Sequence, residues 1–239
     1  MLTKEDRITL KNGIKIFPFR DEEELLEYVV AQPSMLVSTN AEIIQLATPK
    51  TKKIINDNVG YCDGEGAVRA LKRHGAKHVN RIPGCELWLN LVRRKWKSGT
   101  SFYLVGTTQE IIEDTVKKLK EDFPGINIVN YRNGFLKSDE ERQALLADVA
   151  EKQPEVVFVA MGFPKQELLM AEMQKVNPRA IYLGLGGSFN VYTGHTARAP
   201  QWWQDHGLEF AYRLIFEKSR RGRYINYLRY FISLYTGKI

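Results

Sequence analysis

The sequence predicts an α/β fold: a mostly parallel, Rossmann-like sheet flanked by helices. Five short apolar runs recur along the chain: MLVST (35–39), SFYLVG (101–106), INIVN (126–130), EVVFVAMG (155–162) and AIYLGLGG (180–187). Between them lie longer segments whose apolar residues recur at helical spacing. Strand and helix in alternation give a parallel sheet covered on both faces. No repeat, low-complexity segment or linker rich in Pro, Gly or Ser interrupts the pattern.

The elements can be justified in chain order. RITLKNGIKIFPF (7–19) alternates around Asn12-Gly13, which predicts an N-terminal β-hairpin. Beyond it the strand-helix pattern takes over. Ile112, Val116, Leu119 and Phe123 fall on one face of a helix, and so do Leu169, Met173 and Val176. This α/β domain is expected to span 1–212.

Residues 213–239 differ and form a separate C-terminal appendage. They hold seven Lys or Arg and one acid, Glu217. Tyr224, Tyr227, Leu228, Phe231 and Tyr235 fall on one helical stripe, with Arg221 and Arg223 flanking it and Arg229 facing away. A basic helix with an aromatic stripe suits a membrane surface. It equally suits a terminal helix docked on its own core, and RNA contact is a third reading.

Bulk properties narrow the partners. A chain of 239 residues, 44% hydrophobic, is long enough to fold around its own core. The two cysteines, Cys62 and Cys85, make neither a metal spacing nor a disulfide framework, and reduced thiols in the cytosol are expected. The N-terminus MLTKEDRITLKNG lacks an apolar h-region, so no signal peptide is expected, and no window is apolar enough to span a bilayer. The net charge of +7 favours an anionic partner: nucleic acid, anionic lipid or a phosphorylated substrate.

In open parallel sheets, ligands bind beyond the carboxyl ends of the strands. There the sequence places Ser38-Thr39-Asn40, Asp63-Gly64-Glu65-Gly66, Gly106-Thr107-Thr108, Gly162 to Glu167, and Gly186-Gly187-Ser188-Phe189-Asn190. Glycine permits positive φ and close backbone approach, and the start of the following helix presents free N–H groups to phosphate. Pro164 suits the first turn of a helix. Lys165 can neutralise a phosphate, and Gln166 and Glu167 can read hydroxyls or amides. Alternatively, Lys165 and Glu167 are solvated and Gln166 caps its helix.

Asp63 is the acid expected to be partly buried at a strand end. It suits a general base for an alcohol, or an N-cap for the helix beginning near Gly66. The four histidines form no metal pair, and His195 is a lone loop residue beside the glycine loop. Dinucleotide, Walker A and nucleophile-elbow motifs are absent, as is a Cys-His pair. No metal, cofactor or covalent intermediate is expected.

Together these stretches resemble the WecG/TagA/CpsF family of bacterial glycosyltransferases. VAMGFPKQE (159–167), GLGGSFNVYTGHTARAP (184–200), GLEFAYRL (207–214) and the basic tail carry most of the likeness. STNAE (38–42), CDGEGAVRALKR (62–73) and RIPGCEL (81–87) match earlier blocks. The ending TGHTARAP…LYTGKI is most similar to the branch that adds N-acetylmannosaminuronic acid (ManNAcA) in enterobacterial common antigen synthesis.

The resemblance implies inverting, metal-independent transfer of an N-acetylmannosamine-type sugar from UDP. The acceptor is GlcNAc on undecaprenyl diphosphate, and the enzyme works peripherally at the inner face of the cytoplasmic membrane. Asp63 resembles the base, and Thr39 and Asn40 the polar residues lining the site. Gln166 and Glu167, with Lys165, resemble donor-pocket residues. Gly106 and Gly162 belong to the same donor region, and Gly186 and Gly187 through Asn190 to the uridine and sugar contacts. Arg213, Arg221 and Arg223 are candidates for the diphosphate on a closing, membrane-meeting tail. Arg81 and Arg198 are candidates for a sugar carboxylate.

The resemblance also allows a homo-oligomer through the core, and it implies no nucleic-acid partner. Asn190 stands where the family commonly has Asp, Glu86 replaces a usual Asp, Phe210 a usual Trp and Lys218 a common Pro. A non-catalytic protein that binds a UDP-sugar, or nucleic acid through the basic tail, is the alternative reading.

Overall fold

A computed structural model describes residues 2–206, 208–216, 222 and 224–239. The strands are β1 (Ile8–Thr9), β2 (Lys15–Ile16), β3 (Met35–Thr39), β4 (Val59–Cys62), β5 (Ser101–Gly106), β6 (Asn127–Arg132), β7 (Val156–Ala160) and β8 (Ile181–Gly184). β1 and β2 form the expected antiparallel hairpin, with Ile8 opposite Ile16. The other six make one sheet in the order β4-β3-β8-β7-β5-β6. The pairs β3–β8, β8–β7, β7–β5 and β5–β6 are parallel.

The five apolar runs are five of these strands. β3, β7 and β8 are buried at every residue, as expected of parallel strands covered on both faces. The edge strand β6 is only partly covered. β4 is absent from the runs because VGYC is short and includes a glycine. It is nonetheless buried throughout, and Phe17 beyond β2 donates its backbone N–H to Gly60 O at 2.9 Å.

The helices start where the sequence supplies caps. Asn40 caps Ala41–Leu46, Thr48 with Pro49 opens Pro49–Asp57, Thr108 caps Gln109–Asp122 and Ser138 caps Asp139–Lys152. Ile112, Val116, Leu119 and Phe123 are all buried, as their spacing predicts.

The chain divides into two compact units. One comprises Met1–Asp21, Ser38–Pro83 and Ala197–Ile239, and the other Glu22–Val37 and Gly84–Thr196. The core of the second includes Trp88, which meets Phe158, Phe189 and Tyr192 edge-on at centroid distances of 5.5, 5.5 and 5.2 Å. In the first, the helix Tyr224–Tyr235 buries Tyr230 and Leu234 completely, and the Tyr230 hydroxyl donates to Gly66 O at 2.7 Å.

The sequence-predicted stripe on this last helix needs correction. Tyr227 and Phe231 are half-buried beside Tyr230 and Leu234, so 227, 230, 231 and 234 form the docked face. The exposed apolar side chains are Tyr224, Ile225, Leu228, Ile232 and Tyr235. Both faces of the helix are apolar, so spacing alone does not choose between them.

Candidate active site

In the second unit, β5, β7 and β8 end level. Gly106 is paired with Ala160, and Val159 with Gly184. Gly106 has φ +138°, and a Cβ there would lie 2.3 Å from Ala160 O, so only glycine fits. Thr107 follows with φ +51°, an uncommon conformation for a side-chain-bearing residue. It is held there by its N–H donating to Ala160 O and its carbonyl accepting from Gly134 N, each at 2.9 Å. Its hydroxyl lies 3.2 Å from Asn190 Oδ1 and donates to it, which fixes the Asn190 side chain over the end of β5.

The loop after β7 runs through Gly162 at φ +74° and a cis Phe163–Pro164 peptide into the helix Lys165–Val176. Lys165 is exposed at the start of that helix. Gln166 is not its cap: the N-cap position is Pro164, with no side-chain cap. Instead Gln166 is buried, and its Oε1 accepts from Gly162 N at 3.1 Å and Gly186 N at 2.9 Å. Its Nε2 donates to Glu167 Oε1 at 2.9 Å. Glu167 is not solvated either, being 1% exposed. Burial pushes its carboxyl up, and Oε2 has no hydrogen-bond partner among the described residues. Gln166 faces inward against β8, where Gly184 leaves the room for its amide.

In the first unit, Asp63 directly follows β4 and is half-buried. Its N–H donates to Thr39 O at 3.0 Å, and its carbonyl accepts from Arg81 Nε at 3.1 Å. Thr39 is fully buried, with its hydroxyl donating to Tyr61 O at 2.6 Å. Asn40 accepts from Ile43 N at 3.0 Å, so its carbonyl caps a helix. Thr39 and Asn40 thus fix the β3 and β4 ends beside Asp63. The Asp63 side chain is not the N-cap of Glu65–Arg73, because Gly64 takes that position without a side-chain cap. Gly66 serves packing, since a Cβ there would lie 2.7 Å from Ala41 Cβ. Beside Asp63, burial pushes the Cys62 thiol up, away from the thiolate form.

Arg81 also pairs with Glu209 at 2.6 Å, both side chains being largely buried. Glu209 opens the helix Glu209–Phe216, so the residue that holds the Asp63 carbonyl is held in turn by the C-terminal segment. A Glu in GLEFAYRL gives no sequence signal for this pairing.

The family comparison bears on these loops together. The model of the glycosyl transferase WecG/TagA/CpsF family matches residues 13–239. The chain belongs to this family. It is a glycosyltransferase, and the match takes in every loop described above.

The remaining expected residues of this transferase are spread more widely. Arg198 is half-buried in the loop before the helix Gln201–Asp205. The side chain of Arg213, within Glu209–Phe216, and all of Arg221 and Arg223 lie outside the described residues. His195 lies 2.9 Å from Asp114 in a surface contact. No helix among the described residues is long and apolar enough to cross a membrane, and none of their His, Cys, Asp and Glu side chains form a group of three or more able to hold a metal ion. One feature outside the expected set is a cavity of about 480 Å³ lined by Gln109, Arg132, Asn133, Phe135, Lys137 and Glu141.

Proposed function

We propose that this transferase moves ManNAcA or ManNAc from UDP to GlcNAc on undecaprenyl diphosphate in cell-surface polysaccharide synthesis. The reaction is a single inverting displacement without a metal. Asp63 takes the proton from the acceptor hydroxyl, the freed oxygen attacks the anomeric carbon, and the bond from that carbon to the UDP oxygen breaks. The observation that carries this reading is the setting of Asp63. Its backbone is fixed on both sides, by Thr39 O and by Arg81 Nε, and the residue is half-buried. A half-buried acid on a fixed main chain suits a positioned base.

The donor is assigned to the loops of Gly106, Gly162, Gly186 and Gly187, with Lys165 at a helix N-terminus for phosphate charge. Asn190, neutral where the family commonly has Asp, acts there by hydrogen bonding to a hydroxyl. Arg213, Arg221 and Arg223 are the candidates for stabilising the leaving diphosphate. Arg81, which also holds Glu209 and the Asp63 carbonyl, and Arg198 are the candidates for the carboxylate of a ManNAcA donor.

The acceptor's lipid end calls for a peripheral enzyme at the inner face of the cytoplasmic membrane. Supporting this are the exposed apolar side chains of Ile225, Leu228 and Ile232, with Ile215 and Phe216 nearby in sequence, in a segment rich in Lys and Arg.

The test is a donor screen. The enzyme is incubated with UDP-ManNAcA, UDP-ManNAc or UDP-glucose and a short-chain GlcNAc-diphospholipid, and the lipid is weighed by mass spectrometry. The expected result is addition of one ManNAcA or ManNAc. A UDP-induced melting shift with no transfer from any donor would contradict the proposal and favour a non-catalytic UDP-sugar binder.

A further inference from the structure

Building on the assignment of the glycine loops to the donor, we propose that Glu167 is a positioning residue. It orients the Gln166 amide so that this amide ties the loop after β7 to the loop after β8. Glu167 does not itself touch the donor: it is 1% exposed, and its one described side-chain bond goes to Gln166 Nε2.

The tie has a direction. Gln166 Oε1 accepts from two backbone donors, Gly162 N and Gly186 N, and Nε2 faces a carboxylate oxygen. A reversed amide would set its NH₂ against two N–H donors and its carbonyl against an acceptor, so three contacts would turn repulsive. Glu167 supplies the partner for Nε2, the contact that completes the observed orientation.

Space restricts it further. A Cβ at Gly184 would lie 2.5 Å from Gln166 Nε2, 3.0 Å from its Cδ and 3.1 Å from Met170 Cε. The side chain therefore lies against the glycine backbone of β8, in space that a Cβ at residue 184 would fill. The two glycines that it joins take φ +74° and +56°, backbone states open to glycine, and the tie selects one of them in each loop. The amino acids that read as donor contacts in the sequence thus shape the donor loops from behind, and exposed Lys165 is the member of the trio left to meet a ligand.

The test uses the full-length protein with UDP as the probe. Variants are Gln166→Met, Glu167→Met, the double variant and Glu167→Gln. Two readouts are taken: UDP affinity by calorimetry, and hydrogen exchange of the Gly162 and Gly186 amides. Each single Met change is expected to weaken UDP about tenfold, the worth of a buried hydrogen bond, and to speed exchange at both glycines. The double variant should be no weaker than Gln166→Met, because Glu167 acts only through Gln166. Glu167→Gln, which keeps an acceptor for Nε2, should match the native protein in both readouts.

Additive losses in the double variant, or a Glu167→Gln variant as weak as Glu167→Met, would overturn the proposal. Should a Met variant fail to fold, Glu167→Gln decides alone, and loss of UDP affinity or of slow exchange in it overturns the tie. If the native chain binds no UDP, the donor assignment fails, and the exchange data then uphold or reject the tie by themselves.

Discussion

Gly106 and Gly186 both take positive φ, but only Gly106 is hemmed in. A methyl group at Gly106 would lie within 2.8 Å of three Ala160 backbone atoms, whereas nothing lies within 4 Å of one at Gly186. In urea denaturation, Gly186→Ala is therefore expected to cost about 1–2 kcal/mol, the left-handed penalty alone. Gly106→Ala should cost more than about 3 kcal/mol, because strand ends must also separate. Equal losses would contradict this account. Glu167 gives a prediction with a sign. Burial raises its folded pKa above the ordinary 4.5, so the folded state holds the proton longer than the unfolded one. Its contribution to stability is full below about 4.5 and is lost as pH rises through the folded value. Glu167→Gln removes that slope, so its stability relative to the native protein should grow as pH rises from 4.5 towards neutrality. A pH-independent difference would count against a strained carboxylate. Sequence identified Gln166 and Glu167 as notable but not their direction: polar residues in the first turn of a helix face either a ligand or β8, and Gly184 decides it.

Two supports act through whole elements. Trp88 carries the helix Gly84–Lys95 onto β7 through Phe158 and onto the short helix Ser188–Tyr192 through Phe189 and Tyr192. That short helix contains Asn190, so Trp88→Ala should lower stability by about 3–5 kcal/mol and also weaken UDP binding. Unchanged UDP affinity in the folded variant would separate Asn190 from the donor. Arg81 and Glu209 join the segment after β4 to the helix Glu209–Phe216. Glu209→Ala should cost roughly 3 kcal/mol, the lower end for breaking a buried pair, because Arg81 keeps the Asp63 carbonyl. The central strands and the helices Gln109–Asp122 and Lys165–Val176 were legible in the sequence, because burial on both faces writes continuous apolar runs and a helix buried on one side repeats its apolar residues at helical spacing. β4 was legible only as a strand end before Asp63, since four residues with a glycine carry no period. The face of Tyr224–Tyr235 was not legible, since tyrosines on both sides satisfy one spacing rule equally.

For the molecule as a whole, the net charge of +7 and the exposed apolar residues of the C-terminal segment bear on membrane attachment. Deleting that segment would uncover the sites of Tyr230 and Leu234, so surface substitution is the cleaner probe. Ile225→Ser, Leu228→Ser and Ile232→Ser together should lower partition into anionic vesicles at least about tenfold while leaving the melting temperature within a few degrees. Native binding should weaken as salt rises, each basic residue near the surface contributing about 1 kcal/mol. Partition unaffected by the three serines would move the contact elsewhere. The central claim is that Asp63 is the base, and one comparison tests it most directly: Asp63→Asn assayed in parallel for UDP affinity and for sugar transfer to the lipid acceptor. The expected result is UDP affinity within about twofold of native with transfer slowed roughly 10²–10⁴-fold, the usual worth of a general base. Native rates of transfer in that variant would contradict it.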